Sequence, residues 1–402
     1  MKKIVLYFTI FLVLVAGTQC SDNSPAEKPP VNKPPVALTD SNVTAKTKAL
    51  YLNLFAITEK GTMFGQQIPT LYGLDRIVSG SKDRWDARSG DPSDTNNSDI
   101  KYLTGQNPAV CGWDISNIEL DKDRNLDNEL FTDVRNHIIA AYGRGAVNTI
   151  SWHAANPVSG GNAWDPTRAV YAIIPGGELH EAFKARLDKV AAFLASIKTA
   201  DGEPIPLIFR LYHEHSGGGF WWGKGNATAD EFVALWHFTI EYLRDVKGLH
   251  NLIYAYSPDM IHIRSRDDYL EFWPGDKWVD ILGLDAYDRY NADYGHFGAQ
   301  LVRLTLHIAD EKNKPMALTE TGLEDNDPKY SAYYNDKWWT RMLYKVIEDK
   351  PVTFFLLWRN GYLPPLGHFY SAYRGCYSES DFMEFAAKEK ILFENDLPDM
   401  YK

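Results

Sequence analysis

The stretch that decides the fold is IPLIFRLYHE, residues 205–214. An apolar run of this length that ends in polar side chains is typical of a parallel strand buried on both faces. PMALTETG, residues 315–322, has the same character and also ends beside a glutamate. Eight such runs follow one another along the chain. They are residues 62–67, 109–115, 146–153, 205–214, 252–259, 279–287, 315–322 and 352–360.

The segments between these runs have the periodicity of amphipathic helices. Apolar residues recur at helical spacing within 183–194, 232–243 and 339–347, and Thr228-x-x-Glu231 predicts a capping box before the second of them. Eight strands that alternate with helices predict an α/β fold, a single (β/α)8 TIM barrel. A doubly wound open sheet is the alternative. No Gly-x-Gly-x-x-Gly follows the first run, so the dinucleotide-binding form of that sheet lacks support.

The N-terminal segment has the pattern of an export signal. Residues 1–20 combine a basic start with an apolar run too short to span a bilayer comfortably, and Cys20 resembles the lipid-acceptor cysteine of bacterial lipoproteins. The alternative is an ordinary cleaved signal with an incidental cysteine. Residues 21–42 are polar and Pro-rich, which predicts an extended tether, and 43–402 are expected to form the catalytic domain. We therefore expect an exported protein held to the outer membrane, on its cell-surface or periplasmic face, through the lipid alone.

The composition argues against a nucleic-acid partner and against a cysteine-based metal site. The 402 residues carry 42 basic and 53 acidic side chains, for a net charge of −11, and no basic run that would suit a nucleic acid. Apart from Cys20, the only cysteines are Cys111 and Cys376, which either form a disulfide or remain free thiols. No cysteine or cysteine–histidine spacing suggests a metal site. We expect a monomer without a cofactor.

In a barrel of this class the active site lies at the C-terminal ends of the strands. Polar and aromatic side chains stand at these ends throughout the chain, and eight such ends together indicate a site. They are Gln66 and Gln67, Trp113 and Asp114, Trp152 and His153, Tyr212 to His215, Ser257 to Asp259, Asp285 to Tyr287, Thr319 to Thr321, and Trp358 to Asn360.

Two carboxylates, Glu214 and Glu320, each close a strongly apolar strand. A lone glutamate of this kind is more often a salt-bridge partner. A pair in different environments, however, can split into an acid and a nucleophile, which is what glycoside hydrolysis requires. His213 and His215 flank Glu214, but two histidines alone make a poor metal site, so no metal is expected. Strict alternation places His213 opposite Glu214, and only a bulge would turn both toward the site.

Aromatic residues follow Glu214 after three glycines. Phe220 and Trp222, with Trp164 from the preceding strand's loop, are candidates for a platform on which sugar rings stack. The alternative is that Trp221 or Trp222 fills the core at the barrel rim, and we expect at least one of them to do so.

Together these motifs resemble glycoside hydrolase family 26, whose best-known members are β-mannanases. The resemblance runs from about Tyr51 to Phe393 and rests on Trp152-His153-x-x-Asn156-Pro157, Arg210-x-Tyr212-His213-Glu214, Asp285-x-Tyr287, Leu318-Thr319-Glu320-Thr321-Gly322 and Leu357-Trp358-Arg359-Asn360. It implies a (β/α)8 barrel that works with retention of configuration. One position departs from the family: many of its mannanases carry a tryptophan where this chain has Gly219, which puts stacking on the leaving side in doubt.

The resemblance also implies a role for each residue of the site. Glu214 would be the general acid/base and Glu320 the nucleophile, with a carboxyl separation of roughly 5–5.5 Å. His213 would orient the catalytic groups, and Tyr287 would donate a hydrogen bond to the nucleophile, with Asp285 as a supporting partner. His153 would contact the sugar at the cleaved bond, and Trp358 would form the floor beneath that sugar. Arg359 and Trp164 would line the next sugar position.

The predicted function is hydrolysis of β-1,4-mannosidic linkages in mannan, galactomannan, glucomannan or mannooligosaccharides by an endo-acting enzyme. Mannobiose release from chain ends follows if a loop blocks the far end of the cleft. Mixed-linkage β-glucan and β-1,3-xylan are alternative substrates for the same mechanism. A non-catalytic surface glycan-binding lipoprotein is the alternative from another class, and it predicts the loss of one carboxylate, whereas both are present.

Overall fold

The computed structural model describes residues 36–74, 85–86, 95–289, 294–324, 334–363 and 366–402. The chain divides into two units, Met1–Lys33 and Pro34–Lys402. The first unit lies outside the described residues, and with it the predicted signal peptide, Cys20 and most of the predicted tether. Those expectations stay predictions.

Thirteen strands are present in the described part of the chain. They are β1 (Thr62–Gln67), β2 (Tyr72–Gly73), β3 (Trp85–Asp86), β4 (Val110–Asp114), β5 (Val147–Ser151), β6 (Leu207–Arg210), β7 (Leu252–Tyr256), β8 (Ile281–Asp288), β9 (Met316–Leu323), β10 (Val352–Leu357), β11 (Asn360–Leu363), β12 (Leu366–Phe369) and β13 (Ile391–Leu392).

Eight of these strands form a closed parallel barrel. Each of β1, β4, β5, β6, β7, β8, β9 and β10 pairs in parallel with the next, and β10 pairs back to β1. Each of the eight predicted apolar runs coincides with one barrel strand, although β8 and β9 end one residue beyond their runs, so the predicted (β/α)8 barrel is confirmed. The two short hairpins, β2–β3 and β11–β12, lie beyond the C-terminal ends of β1 and β10.

At least one helix follows each barrel strand in sequence. The helices are α1 (Ala45–Ala56), α2 (Asp99–Thr104), α3 (Phe131–Arg144), α4 (Val170–Ile173), α5 (His180–Ser196), α6 (Ala229–Glu241), α7 (Arg266–Leu270), α8 (Tyr294–Lys312), α9 (Tyr344–Ile347) and α10 (Glu379–Ala386). The predicted capping box at α6 is present, since Thr228 Oγ1 accepts from the Glu231 backbone and the Glu231 carboxylate accepts from the Thr228 backbone.

The barrel interior is filled by side chains that alternate with those facing the helices. In β6, Ile208 belongs to an inner apolar cluster that takes residues from all eight barrel strands, whereas Leu207 and Phe209 pack outward. Leu50 and Leu54 of α1 belong to the same inner cluster, so α1 contacts the interior of the barrel. The alternation predicts that Arg210, two residues after Ile208, also points inward.

The chain packs against the barrel from Thr39 onward. The Thr39 backbone N–H donates to Asp280 at 2.6 Å, and Asp40 pairs with His250 Nδ1 at 2.7 Å. Asp280 immediately precedes β8 and His250 lies two residues before β7, so this entry point is at the N-terminal ends of the strands. It is therefore on the face of the barrel opposite to the C-terminal strand ends.

Cys111 and Cys376 are both free thiols, which decides between the two alternatives that the sequence left open. Cys111 lies buried in β4, and Cys376 is partly buried near α10. Among the described residues, no helix has the length and apolar character that crossing a bilayer demands.

Candidate active site

Glu214 reaches the site because the backbone beyond β6 departs from regular strand geometry. Tyr212 and Glu214 both have left-handed backbones, with φ of 46° and 53°. Strict alternation therefore fails after Arg210, and the bulged alternative holds. Tyr212 turns outward, where its hydroxyl bonds to Thr239 of α6 at 2.8 Å, while His213 turns to the cleft. Left-handed non-glycine residues are strained and cluster at functional sites.

Glu320 is turned inward by a bulge in β9. The register against β8 shifts between the pairs Gly283↔Ala317 and Asp285↔Glu320, so β9 carries one extra residue there. Thr319 and Glu320 consequently both face the interior. Thr319 Oγ1 donates to Asp285 Oδ1 at 2.7 Å, and Glu320 lies next to the same aspartate.

Arg210 ties the two inner carboxylates together. Its Nη1 donates to Asp285 Oδ2 at 2.7 Å and its Nη2 donates to Glu320 Oε1. Burial would lower the pKa of Arg210, but the charges of Asp285 and Glu320 raise it instead. Tyr287 supplies a second donor to Glu320, since its hydroxyl donates to Glu320 Oε2 at 2.5 Å. Asp285 and Tyr287 thus lie where the sequence placed them.

Carboxylate oxygens of Glu214, Asp285 and Glu320 lie within 4.8 Å of one another. Retaining glycosidases hold their two carboxyl groups roughly 5–5.5 Å apart, whereas inverting glycosidases leave roughly 6.5–9.5 Å for a water molecule. The short distance between Glu214 and Glu320 therefore suits a retaining enzyme, in which one carboxylate is the nucleophile. A divalent cation also favours clustered carboxylates. Here the Arg210 guanidinium already supplies the positive charge between Asp285 and Glu320, so the cluster is built as an ion pair.

The Glu214 carboxyl is poised to hold a proton. Burial is the largest cause that raises its pKa well above the usual range, followed by the negative charges of Glu320, Asp259 and Asp285, while Arg289 opposes them. Arg289 lies over the Tyr287 ring at 5.4 Å and bonds to Glu324 at 3.2 Å. The elevated pKa is what a general acid at neutral pH requires.

His153 and His213 meet edge to face beside these groups. Their Nε2 atoms are 3.2 Å apart, and His153 Nδ1 is 2.7 Å from Asp114 Oδ2. His215 points away: it packs against Phe232, Tyr256 and Phe272, and burial lowers its pKa to about 3. Of the two histidines that flank Glu214, His213 alone faces the cleft.

The aromatic loop after Glu214 packs mostly into the core. Trp221 and Trp222 are fully buried, and their indole N–H groups donate to the carbonyls of Ala154 and His213 at 2.9 and 2.8 Å. Phe220 is 3% exposed and stacks on Trp222 at 4.6 Å. The prediction of a stacking platform from Phe220 and Trp222 is therefore wrong, and the core alternative is confirmed. Trp222 instead supports the backbone of His213.

Trp164 is the ring of this group that remains accessible. It is 48% exposed and stacks on His153 at 5.2 Å. Trp358 is partly exposed, with its ring 6.2 Å from that of His153. Arg359 is 6% exposed, and its guanidinium is held by the Tyr72 hydroxyl and Asp127, each at 2.8 Å.

Four charged residues of the site were absent from the predicted set: Asp114, Arg210, Asp259 and Arg289. A charged residue inside an apolar strand is a signal that identifies Arg210. Asp114 and Asp259 stand at strand ends, which marked them as candidates without giving them partners. No sequence signal pointed to Arg289, because its neighbours come from distant loops.

A pair of unequal glutamates at the C-terminal ends of a (β/α)8 barrel defines the class of two-carboxylate glycosidases. The model of glycosyl hydrolase family 26 matches residues 39–324. The chain belongs to that family, as the sequence motifs predicted.

Curated relatives and solved structures agree with this assignment. A mannan endo-1,4-β-mannosidase of Bifidobacterium adolescentis is 34% identical over 89% of this chain, and the match covers 35% of that protein. A Bacillus subtilis mannan endo-1,4-β-mannosidase is 32% identical over 59% of this chain and 64% of its own length. A GH26 β-mannanase structure from Bacteroides ovatus has a TM-score of 0.80 at 37% identity, covering 89% of this chain and 98% of that one. The chain thus spans about a third of the Bifidobacterium protein.

Proposed function

We propose that the protein is a retaining endo-β-1,4-mannanase that hydrolyses mannan, galactomannan, glucomannan or mannooligosaccharides. The observation that carries the proposal is the pairing of two glutamates with opposite environments, whose carboxylate oxygens lie within 4.8 Å. Substrate class follows from the relatives, which are named as mannan endo-1,4-β-mannosidases.

In the first step Glu320 attacks the anomeric carbon while Glu214 protonates the oxygen of the leaving sugar. The glycosidic C–O bond breaks and a glycosyl ester forms on Glu320. Arg210 and Tyr287 both donate to Glu320, so its carboxylate is held in one orientation before the substrate arrives.

In the second step Glu214 removes a proton from water, and that water displaces the sugar from Glu320. Formation of the ester neutralises Glu320, whose charge is the second-largest cause of the raised pKa of Glu214. The pKa of Glu214 therefore falls once the intermediate has formed. The same carboxyl thus changes from acid to base through the charge state of its neighbour.

Product analysis tests the proposal. The purified enzyme is incubated with unbranched mannan, galactomannan, mixed-linkage glucan and β-1,3-xylan, and NMR of the first product follows its anomeric configuration. Mannooligosaccharides of retained configuration are expected, from the mannan substrates alone. Products from glucan or xylan alone would replace the substrate class, and an inverted product would overturn the mechanism. No product from any polymer would favour a glycan-binding protein.

Mannobiose release from chain ends is a finer form of the proposed activity. It predicts mannobiose as the main product from the first minutes, with slow loss of mannan viscosity. Internal cleavage instead predicts a rapid fall in viscosity with a broad range of early oligosaccharides. Measuring both on one sample separates the two modes.

We also propose that the protein is exported as a monomer and anchored to the outer membrane through lipidated Cys20. Supporting this, the chain joins the barrel at Thr39, on the face opposite the cleft, so attachment at this end leaves the strand ends that bear Glu214 and Glu320 unobstructed. Mass spectrometry of the membrane fraction should find a diacylglyceryl group on Cys20. Release of Cys20→Ala into the soluble fraction is expected, and an unchanged membrane fraction would contradict the anchor.

A further inference from the structure

Three buried titratable side chains extend in a row away from the glutamate pair: Asp114, His153 and His213. Their exposed fractions are 1%, 7% and 1%. Asp114 Oδ2 lies 2.7 Å from His153 Nδ1, and the Nε2 atoms of the two histidines lie 3.2 Å apart. None of these contacts takes part in the proton transfers described above.

Asp114 is fixed as an ionised acceptor. Its Oδ1 accepts from the Ser116 backbone at 2.9 Å, and its Oδ2 accepts from Ser151 Oγ at 3.0 Å. Burial raises the pKa of Asp114, but His153 and Ser116 lower it more, so the net shift is downward. An ionised carboxylate can only accept, so the hydrogen in the contact with His153 must sit on Nδ1 of that ring.

The contact between the two histidines leaves room for one hydrogen. When the His153 ring carries a single hydrogen, on Nδ1, its Nε2 accepts, and the hydrogen between the two rings belongs to His213 Nε2. Burial, the largest cause, and the charge of Arg210 lower the pKa of His213 well below its usual range, so that ring is neutral. His213 Nδ1 is then bare, in accord with its lack of a hydrogen-bond partner among the described residues.

Aromatic neighbours alone cannot select this arrangement. Trp164 stacks on the His153 ring at 5.2 Å, and Phe220 lies 5.6 Å from it. These contacts hold the plane of the imidazole, but a ring turned over by 180° would fit them equally well. Asp114 contacts Nδ1 and His213 contacts Nε2 of this ring, but an imidazole can donate or accept, whereas the ionised carboxylate of Asp114 only accepts. Asp114 therefore decides which nitrogen carries the hydrogen.

We propose that Asp114 is a positioning residue that fixes the tautomer and orientation of His153 and, through it, the orientation of His213 next to Glu214. Its role in catalysis rests on the proposed hydrolytic function. In Asp114→Asn the amide can donate to His153 Nδ1, which forces the proton onto Nε2. Two N–H groups would then oppose each other across the 3.2 Å contact between the histidines.

The test combines ¹⁵N NMR of histidine-labelled protein with kinetics on a mannooligosaccharide. In the unaltered protein His153 should show a protonated Nδ1 and a bare Nε2, and Asp114→Asn should reverse them. We expect kcat/KM to fall about 100-fold in that variant, with the loss mainly in kcat.

Glu119→Gln is the matched control. Glu119 is a second buried carboxylate at this strand end, accepting from Trp152 Nε1 at 3.0 Å and the Ala155 backbone at 2.7 Å. Its variant should leave the His153 tautomer unchanged, and kcat/KM should fall far less than in Asp114→Asn, because the new amide N–H lies against Trp152 or Ala155 rather than against a histidine. An equal loss in both variants would assign Asp114 a merely structural role and overturn the proposal.

The NMR result stands apart from the activity, so the two failures can be told apart. A protein without hydrolytic activity but with the expected tautomer would contradict the proposed function only. A bare Nδ1 on His153 in the unaltered protein would overturn the role of Asp114 even if Asp114→Asn failed to fold. An unchanged tautomer with unchanged kcat/KM in folded Asp114→Asn would do the same.

Discussion

The ends of β6 and β9 both deliver a glutamate to the cleft, yet they surround it differently. Glu320, at the end of β9, receives one donor on each oxygen, from Arg210 and Tyr287. Within the described residues, the carboxylate of Glu214 accepts no hydrogen bond. Its charged neighbours include three carboxylates, of which Glu320 and Asp285 lie within 4.8 Å.

In the proposed mechanism, this difference in surroundings separates the roles of the two glutamates. Two donors orient the carboxylate of Glu320, which suits a nucleophile, whereas burial and negative neighbours raise the pKa of Glu214, which suits an acid. The same residue type thus acquires two functions from its surroundings alone. The negative charge of Glu320 also helps to keep the proton on Glu214.

The largest expected effect comes from removing each glutamate in turn. Glu320→Ala loses the attacking group, so kcat/KM should fall at least about 10⁴-fold on every substrate. Glu214→Ala should lose as much on mannan but far less on an aryl β-mannobioside whose leaving group needs no protonation. Steady-state kinetics on both substrates checks this. Equal losses for Glu214→Ala on both would contradict the assigned roles.

Azide provides the control for this pair of variants. A small anion can occupy the space left by either side chain and attack from it. The β-mannosyl azide is expected from Glu214→Ala and the α-mannosyl azide from Glu320→Ala. The reverse pattern in product NMR would exchange the two assignments.

Substitution of Arg210 should give the next largest effect. Its positive charge contacts Glu320 directly and so distinguishes the surroundings of Glu320 from those of Glu214. Arg210→Met leaves Asp285 and Glu320 buried without their counter-ion, which should cost about 3–5 kcal/mol of folding stability and about 10³-fold in kcat. Arg210→Lys keeps one charge but cannot pair with both carboxylates, so intermediate losses are expected. Thermal unfolding and kinetics measure the two effects, and an Arg210→Met enzyme with unaltered kcat would contradict the role.

Tyr287→Phe removes one donor from Glu320 and leaves the ion pair with Arg210 in place. Loss of a hydrogen bond to a charged group costs about 1.5–3 kcal/mol, so kcat should fall roughly 10- to 100-fold. KM should change little, because the lost interaction acts on the nucleophile. Tyr370→Phe is the control, since its ring lies 5.4 Å from that of Tyr287 while Glu320 keeps both donors. Equal effects of both variants would indicate a general packing defect.

The sequence alone predicted the barrel and both glutamates, because a buried strand appears in the sequence as a continuous apolar run and its end appears as a polar residue. Continuous apolar runs such as 205–214 result from burial on both faces, and each of the eight coincides with a barrel strand to within one residue at its C-terminal end or contains it. The polar residue that closes each run then falls at one rim. The positions of Glu214 and Glu320 follow from that rule without any knowledge of distant contacts.

Sequence alone did not predict how the strand ends depart from regular geometry. Alternation fails at Tyr212, whose left-handed backbone turns it to the helices, and at Glu320, which the bulge in β9 turns inward beside Thr319. Trp222 could not be assigned to cleft or core, because a tryptophan suits both. Its burial depends on the carbonyl of His213, which accepts from its indole. Such outcomes are set by contacts between loops, which composition and spacing do not reveal.

The charge of Glu320 should be visible in the titration of Glu214. In Glu320→Gln the second-largest cause of the raised pKa of Glu214 is removed, so that pKa should fall, although burial keeps it above the ordinary value. An acid is active while protonated, so activity that depends on Glu214 declines as pH rises through its pKa. ¹³C NMR of labelled glutamates measures the shift directly. A rise, or no shift, in Glu320→Gln would contradict the coupling between the two carboxyls.

The smallest expected effect is a gain in substrate affinity from a substitution in the loop that follows Glu214. Gly219 is exposed in the loop after Glu214, and a Cβ built there meets no atom within 4 Å. Gly219→Trp can therefore add a ring on the leaving side, where one stacked aromatic contact is worth about 1 kcal/mol, or roughly fivefold in affinity. KM should fall for mannooligosaccharides that extend across the cleft but not for an aryl mannobioside, which places no sugar there. An equal fall in KM for both substrates would show that the new ring contacts the sugars that both substrates share. It would contradict the placement of Gly219 on the leaving side.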